Sequence, residues 1–358
     1  MLLLLRNLQE TLEIFFWLRD SFIGTNTYLI GSQKPYILVD AAEGLESYLP
    51  ILASTLQDSN PTTNLSTPDV SDIIISHWHH DHVGGLPSVL SLLKNMWVGR
   101  NHGREAEYQG PKLHKYPLDK AKAGEHLGPH NMLPDIEKTL DKELYTAASD
   151  GSVFHDLYDG QMFVDKGTST LLLEVLHTPG HSGDSICLYL PIDRALYTAD
   201  TVLGYGTAVF EDLAAYVASL NKMLRLNEKN THQGEVELKS SGYDTLYPGH
   251  GDILTNGSET IATYIKHRME REAQIVEVLQ MPVPVELVVH QSDTDQQQQQ
   301  QQQLWTIWNL VRNIYKSYPE NLWLPATRSV YLHLKKLEGE GIVRCVGGEG
   351  KDSMWELV

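Results

Sequence analysis

The sequence predicts a mixed α/β fold followed by a small C-terminal winged-helix module. Three observations predict it. Short apolar runs alternate with helical periods from Thr27 to Leu279, and several of those runs end on Asp or His. A run of eight Gln, Gln296–Gln303, cannot bury apolar surface and reads as a linker. Beyond it two helical periods precede two strand-like runs, the order of a winged helix.

Element by element, Leu8–Leu18 is periodic but leaves helix and strand undecided. Thr27–Ile30 and Tyr36–Val39 flank Gly31–Pro35 and read as a hairpin. Leu45–Leu56 has a helical period. Gln57–Ser71, rich in Ser, Thr, Asn, Asp and Pro, reads as a loop. Ile73–Ile75 is an all-apolar strand of the kind buried on both faces, and a helix is expected over Leu86–Leu93. Residues 100–150 are polar and weakly periodic, and read as a long, partly helical surface insertion. Strands are expected at Gln161–Val164, Thr170–Leu176, Ser185–Leu190 and Ala195–Thr198. An amphipathic helix at Glu211–Leu224, a polar loop at Leu226–Ser241, a strand at Thr245–Tyr247 and a long helix at Ser258–Leu279 follow. In the tail, helices Leu304–Tyr315 and Ala326–Leu337 precede strands Ile342–Val346 and Met354–Val358. The expected domains are 1–292, with its insertion at about 100–155, a linker at 293–303, and 304–358.

Composition narrows the function. The 358 residues carry 28 Lys and Arg against 46 Asp and Glu, a formal charge of −18, which argues against coating nucleic acid through charge alone. At 41% hydrophobic residues the chain can build a sizeable core. Cys187 and Cys345 are too few for a disulfide scaffold and fit a reducing compartment. No apolar run approaches the roughly 20 residues that a bilayer needs. The expected location is intracellular, either the cytoplasm or the mitochondrial matrix. The 16 His residues are the feature to follow.

Five strand ends finish on Asp or His: Asp40, the cluster His77–His82, His181, Asp200 and His250. Strands that end in one layer set their last residues along one edge of a sheet, where sites gather. Neutral imidazole nitrogen and carboxylate oxygen bind zinc at roughly 2 Å. His-x-His-x-Asp-His offers four such groups in six residues. In a tight turn, His77 and His79 can share one ion while Asp81 and His82 serve a second. His181 and His250 can each add a ligand, and the two oxygens of Asp200 can bridge. Two metals roughly 3.5–4 Å apart can hold one hydroxide between them. The remaining histidines have blander expectations. His80 is expected to be exposed, and His177 to be structural. His102, His114, His126, His130 and His155 are expected to be solvated. Trp78 is expected to pack.

Ser76–Gly85, Thr178–His181, Thr198–Asp200 and Tyr247–Gly251 resemble the motifs of the metallo-β-lactamase superfamily. The resemblance covers about 20–280 and implies an αββα sandwich with a metal site at one edge of its two sheets. It implies two Zn2+: His77, His79 and His181 on the first, Asp81, His82 and His250 on the second, and Asp200 bridging. It makes Asp40 the carboxylate behind the ligand loop and Asp81 the residue that orients or accepts the proton of the nucleophile. Gly24–Leu29, Gly206–Leu213, Tyr264–Arg268 and the winged-helix tail resemble one group more closely. That group joins the β-lactamase-like endoribonuclease of animal mitochondria with fungal thioesterases that release polyketides from acyl carrier protein. Residues before Phe22 depart from the group's first strands.

Two hydrolytic functions follow from the resemblance. The first is cleavage of single-stranded RNA, with His267, Arg268 and Arg271 on one helix meeting phosphates. The second is thioester hydrolysis on acyl carrier protein or CoA in secondary metabolism, with Leu203, Tyr205 and Val209 lining an apolar path. The tail carries seven basic and six acidic side chains, so no sequence-specific DNA binding is expected.

Overall fold

The computed structural model describes residues 24–58, 65–118, 133–165, 167–228, 242–287 and 304–358. The periodic stretch 8–18, His126, His130 and the Gln run lie outside these residues. The chain divides into two compact units, Met1–Glu211 with Ala218–Ala262, and Asp212–Val217 with Thr263–Val358. Among the described residues, no helix is long and apolar enough to cross a membrane.

Two five-stranded sheets build the first unit. β1 (Tyr28–Ile30), β2 (Tyr36–Val39), β3 (Val70–Ile75), β4 (Lys112–Lys115) and β5 (Phe154–Asp156) lie side by side in that order. Only the β1–β2 hairpin is antiparallel. The second sheet contains β6 (Met162–Val164), β7 (Leu171–His177), β8 (Ile186–Leu190), β9 (Ala195–Ala199) and β10 (Thr245–Pro248). They run in the order β10-β9-β8-β7-β6, and only β10 and β9 are parallel.

Strand alternation sends each side chain to its own layer. Tyr36, Leu38, Ile73 and Ile75 join one core with Leu52 and Leu56 of α1 (Tyr48–Asp58) and Val89, Leu90 and Leu93 of α3 (Leu86–Arg100). Their neighbours Ile37, Val39 and Ile74 face the other way, into a core with Val175, Ile186, Leu188 and Tyr197 of the second sheet. Each aliphatic side chain buried here contributes about 1.5–3 kcal/mol relative to exposure. A one-turn helix, α2 (His80–Val83), separates β3 from α3, and α4 (Leu133–Thr139) follows β4. Against the second sheet, Ser219 of α5 (Leu213–Glu228) donates to Pro179 O at 2.7 Å. Gly257, the first residue of α6 (Gly257–Leu279), sits against Tyr243 and Leu246. The layering is αββα.

The predicted surface insertion needs correcting. Lys112–Lys115 and Phe154–Asp156 are strands of the first sheet. Their polar look comes from paired buried charges: Lys115 meets Asp184, and His114 meets Asp72 at 2.8 Å. His114 is therefore buried rather than solvated. His102 is exposed, as expected. His155 is half-buried and bonds to Thr146 O at 3.0 Å. Helix α3 also runs past the predicted Leu93 to Arg100, because Trp97 continues its buried face.

In the second unit, α7 (Ile307–Ile314) places Ile307, Leu310, Val311 and Ile314 on one face. Thr306 caps it by accepting from Asn309 N at 3.1 Å. This face packs with Ile275 and Val278 of α6, with Val330, Leu334 and Leu337 of α8 (Trp323–Gly339), and with Trp305 and Trp355. The wing is a three-stranded sheet: β11 (Trp305–Thr306), β13 (Met354–Leu357) and β12 (Val343–Gly347), in that order. The sequence predicts its hairpin but not the two-residue β11, which lies inside the predicted first helix.

His333 on α8 is fully buried, and among the described residues neither ring nitrogen has a hydrogen-bond partner. Burial, then the charges of Arg268, Arg271 and Lys336, push its pKa down to about 3. The unfolded chain binds a proton near pH 6.5 and the folded chain does not, so stability falls as pH drops from about 6.5 toward 3. His333→Leu removes this acid dependence. The drop in melting temperature from pH 7 to pH 5 is expected to be smaller in the variant than in the parent, the other buried histidines keeping their share of it.

Candidate metal centre

All the predicted strand-end residues meet at one edge of the two sheets. Two groups form: His77, His79 and His181, and Asp81, His82, Asp200 and His250, each with ligand-type atoms within 4.8 Å of one another. Each group takes side chains from both sheets. His77 and His79 follow β3, and Asp81 and His82 lie on α2. His181 follows β7, Asp200 follows β9, and His250 follows β10.

In the first group three imidazole nitrogens converge. His77 Nε2 lies 3.0 Å from His79 Nδ1 and 3.1 Å from His181 Nε2, and the last pair is 2.9 Å apart. The outer hydrogen bonds fix the tautomers. His181 Nδ1 lies 2.9 Å from Val209 O, an acceptor only, so it carries the proton and turns the Nε2 lone pair inward. Burial, then the neighbouring rings of His82 and His181, hold His77 well below the ordinary imidazole range. Burial and His181 bring His79 down to about 4. His77 and His79 are thus held toward the neutral form, which is the state that a metal ion takes up.

The second group is carboxylate-rich. His250 Nε2 lies 3.1 Å from Asp81 Oδ2 and 3.3 Å from Asp200 Oδ2. Burial disfavours charge on His250, but its bonds to Asp200 and Asp81 outweigh it and raise the ring to about 10. Likewise burial of His82 is outweighed by Asp40, Asp200 and Asp81, which hold it well above its usual value. His82 Nε2 and Asp200 Oδ1 are buried and 3.4 Å apart, a long ion pair, and among the described residues neither atom has a well-formed hydrogen bond. Two poorly paired buried atoms amid carboxylates mark a place that fits positive charge. Asp200 spans the groups, with Oδ2 also 3.7 Å from His181 Nε2. The donor set therefore fits two metal ions, with Asp200 between them.

Asp40 stands behind both groups. Its carboxylate accepts from Ser76 N at 2.7 Å, Ser76 Oγ at 2.8 Å, His82 Nδ1 at 2.7 Å and Tyr197 OH. The turn after β2 is tied to the ligand loop by Ala41 N to His82 O and Gly85 N to Ala42 O, each 2.8 Å. A Cβ on Gly85 would lie 1.9 Å from Ala41 O, so only glycine fits there. Asp40, Ala42 and Ala199 all have positive φ (61°, 58° and 44°), a local strain of about 1 kcal/mol or more each, beside the site.

The sequence assigns several contributors no site role, although Thr25 and Asn26 lie in the Gly24–Leu29 stretch that carries part of the resemblance. Asn26 donates from Nδ2 to Pro248 O at 3.0 Å and to Gly251 O at 2.9 Å, clamping the turn that holds His250. Thr25 Oγ1 lies 3.4 Å from Asp81 Oδ2. Tyr197, inside an apolar strand, reads as core from sequence. Of the bland expectations, His80 is exposed and Trp78 is packed in the core. His177 stacks on Tyr116 at 3.7 Å, outside both groups. Of the residues proposed to bind substrate, Tyr205 is 69% exposed on the segment that follows Asp200. His267, Arg268 and Arg271 belong to the second compact unit and join neither group.

Two substitutions test this arrangement. Asp40→Ala removes the acceptor that fixes His82, and a loss of about 10–100-fold in metal affinity is expected. A Cβ on Gly249 would lie 2.5 Å from Asp200 Oδ1 and 3.0 Å from the His82 ring. Gly249→Ala is therefore expected to lower metal content after dialysis, with little change in circular dichroism.

Comparison with known proteins agrees with this geometry. Residues 21–250 match the description "Metallo-beta-lactamase superfamily", and 306–355 match "Beta-lactamase associated winged helix domain". A Drosophila melanogaster protein named beta-lactamase-like protein 2 homolog is 30% identical over 322 residues, 90% of this chain and 84% of that one. An atrochrysone carboxyl ACP thioesterase of Emericella nidulans is 29% identical over 253 residues, covering 71% of this chain and 60% of that one. The crystal structure of a metallo-beta-lactamase family protein from Thermus thermophilus superposes with a TM-score of 0.56 at 17% identity, over 97% of this chain and 98% of that one. With the motifs at one sheet edge and the matched region covering most of the first unit, the chain belongs to the metallo-beta-lactamase superfamily.

Proposed function

We propose that the chain is a dinuclear zinc hydrolase whose substrates are acyl thioesters. The observation that carries the choice of substrate is an apolar rim. Tyr205 and Val209, each 69% exposed, sit on a segment whose backbone touches both groups of candidate ligands. Gly204 N donates to His250 O at 2.8 Å, and Val209 O accepts from His181. Exposed apolar side chains that flank a polar centre suit an acyl chain. The basic side chains that contact the segment His177–Asp184 are already engaged: Lys115 with Asp184, and Lys222 with Asp159 at 2.5 Å. The fungal relative named as an acyl-carrier-protein thioesterase supports the same reading.

His77, His79 and His181 would hold one ion, and Asp81, His82 and His250 the other, with Asp200 on both. An all-imidazole and carboxylate set suits zinc. Bound there, the ions would supply a water-derived nucleophile and Lewis acidity toward the carbonyl oxygen. The chain's own residues do the rest. Asp81, with its side chain 37% exposed, is the carboxylate of the set most open to solvent. Burial raises its pKa, but the charge of His82 and the bond to His250 outweigh that and keep it ionised, a hydrogen-bond acceptor fit to orient the nucleophile's proton, though a weak base. Tyr205 and Val209 would seat the acyl chain.

Cleavage of single-stranded RNA is the second reading, favoured by His267, Arg268 and Arg271 on one helix ahead of the winged helix. The two arginines have local partners that weaken it. The Arg271 guanidinium lies 4.5 Å from the Tyr315 ring and donates to Gln274, and Arg268 lies 5.8 Å from the Tyr216 ring.

Purified protein incubated with a decanoyl-N-acetylcysteamine thioester and with fluorescent single-stranded RNA separates the two. Thioester turnover is expected, abolished by His77→Ala and Asp200→Ala. The double variant Tyr205→Ser, Val209→Ser is expected to raise KM roughly tenfold with kcat unchanged, equivalent to about 1.4 kcal/mol of lost apolar contact. RNA cleavage without thioester turnover overturns the proposal.

A further inference from the structure

We infer that Tyr197 is a positioning residue that sets metal affinity by competing for the carboxylate of Asp40, and that its hydroxyl loosens the ions rather than tightening them. The inference rests on the metal reading above. Asp40 Oδ2 accepts three hydrogen bonds: from His82 Nδ1 at 2.7 Å, from Ser76 Oγ at 2.8 Å and from Tyr197 OH. Oδ1 accepts from Ser76 N at 2.7 Å. A carboxylate oxygen offers about two lone-pair sites, so three donors at Oδ2 share what two would saturate.

The sharing reaches the candidate ligands. A strong bond from Nδ1–H to a carboxylate pushes electron density toward Nε2 and makes imidazole a better ligand. Each competitor at Oδ2 weakens that push on His82. Ser76 Oγ also lies 3.0 Å from His77 Nδ1, so the same oxygen acts through one hydroxyl on a ring of the other group. Donor strength at Asp40 Oδ2 therefore reaches one residue in each group.

The hydroxyl can be separated from the ring. Tyr197 is fully buried in the core between the sheets. Its ring packs edge-on against Tyr28 with centroids 5.2 Å apart and planes at 67°. Phenylalanine keeps that packing and removes only the donor. A residue that merely props Asp40 in place would weaken metal binding when its hydroxyl is lost. A competitor strengthens it.

The test uses the full-length protein loaded with Zn2+ and measures the release of each equivalent to a chromophoric chelator. Three forms are compared: the parent, Tyr197→Phe, and protein with 3-fluorotyrosine at position 197, a stronger donor of almost the same shape. The expected order of release is Tyr197→Phe slowest, parent next and fluorotyrosine fastest, with about three- to tenfold between the extremes. A flat series, or faster release from Tyr197→Phe, overturns the inference. Should Tyr197→Phe fail to fold, the fluorotyrosine form, which keeps the hydroxyl, decides the sign alone. If the parent binds no Zn2+ at all, it is the metal reading that fails; if it binds two and the order is wrong, only the role of Tyr197 fails.

Discussion

The imidazole rings of His77, His79, His82, His181 and His250 and the carboxylates of Asp81 and Asp200 crowd one edge of the sandwich, largely out of water. Groups so polar are costly to desolvate, and two of their buried atoms, His82 Nε2 and Asp200 Oδ1, meet only at the 3.4 Å of a long ion pair. Only concentrated positive charge makes such a cluster favourable. Much of the surrounding architecture reads as a means of holding the donors still until that charge is supplied. The ring of His82 is pinned by Asp40, that of His181 by the carbonyl of Val209, and that of His250 by the carbonyl of Gly24, 3.2 Å away. Positive φ at Asp40, Ala42 and Ala199 bends the chain where these groups must converge.

Charge opposition sorts the cluster into two environments. The first group lacks a carboxylate of its own, so burial holds His77 and His79 below the ordinary imidazole range. The second is dominated by Asp81 and Asp200, so its rings hold protons when no other cation is present. An ion entering the second group displaces protons that His82 and His250 hold more tightly than His77 and His79 do. The two sites are therefore unlike in their response to acid even though one carboxylate, Asp200, touches both.

The candidate ligands were legible in the sequence because their spacing is local and their position is set by strand ends. His77, His79, Asp81 and His82 fall within one short turn, and His181, Asp200 and His250 each follow an apolar run that could only be a strand. The strands at Lys112–Lys115 and Phe154–Asp156 were not legible. Their buried faces include Lys115 and His114, which periodicity counts as surface, and whose partners Asp184 and Asp72 are distant in sequence. Asn26 and Tyr197 were hidden for the opposite reason. Asn26 lies in a stretch that resembles the family and Tyr197 in an ordinary apolar strand, but the purpose of each appears only when a turn or a carboxylate from elsewhere in the chain lies beside it.

Both groups draw side chains from both sheets, with His77, His79, Asp81 and His82 from one and His181, Asp200 and His250 from the other. An ion held by either would thus be a cross-link between layers that otherwise meet through apolar packing and a few bonds such as Ile186 N to Ser76 O at 3.1 Å. Neither layer alone offers a complete site, so the full ligand set exists only once the sandwich has closed. Once loaded, parting the sheets would mean breaking coordination as well as exposing the core. The same atoms that could perform chemistry would also act as a clasp, and the lifetime of the folded sandwich would be set in part by how tightly that clasp is held.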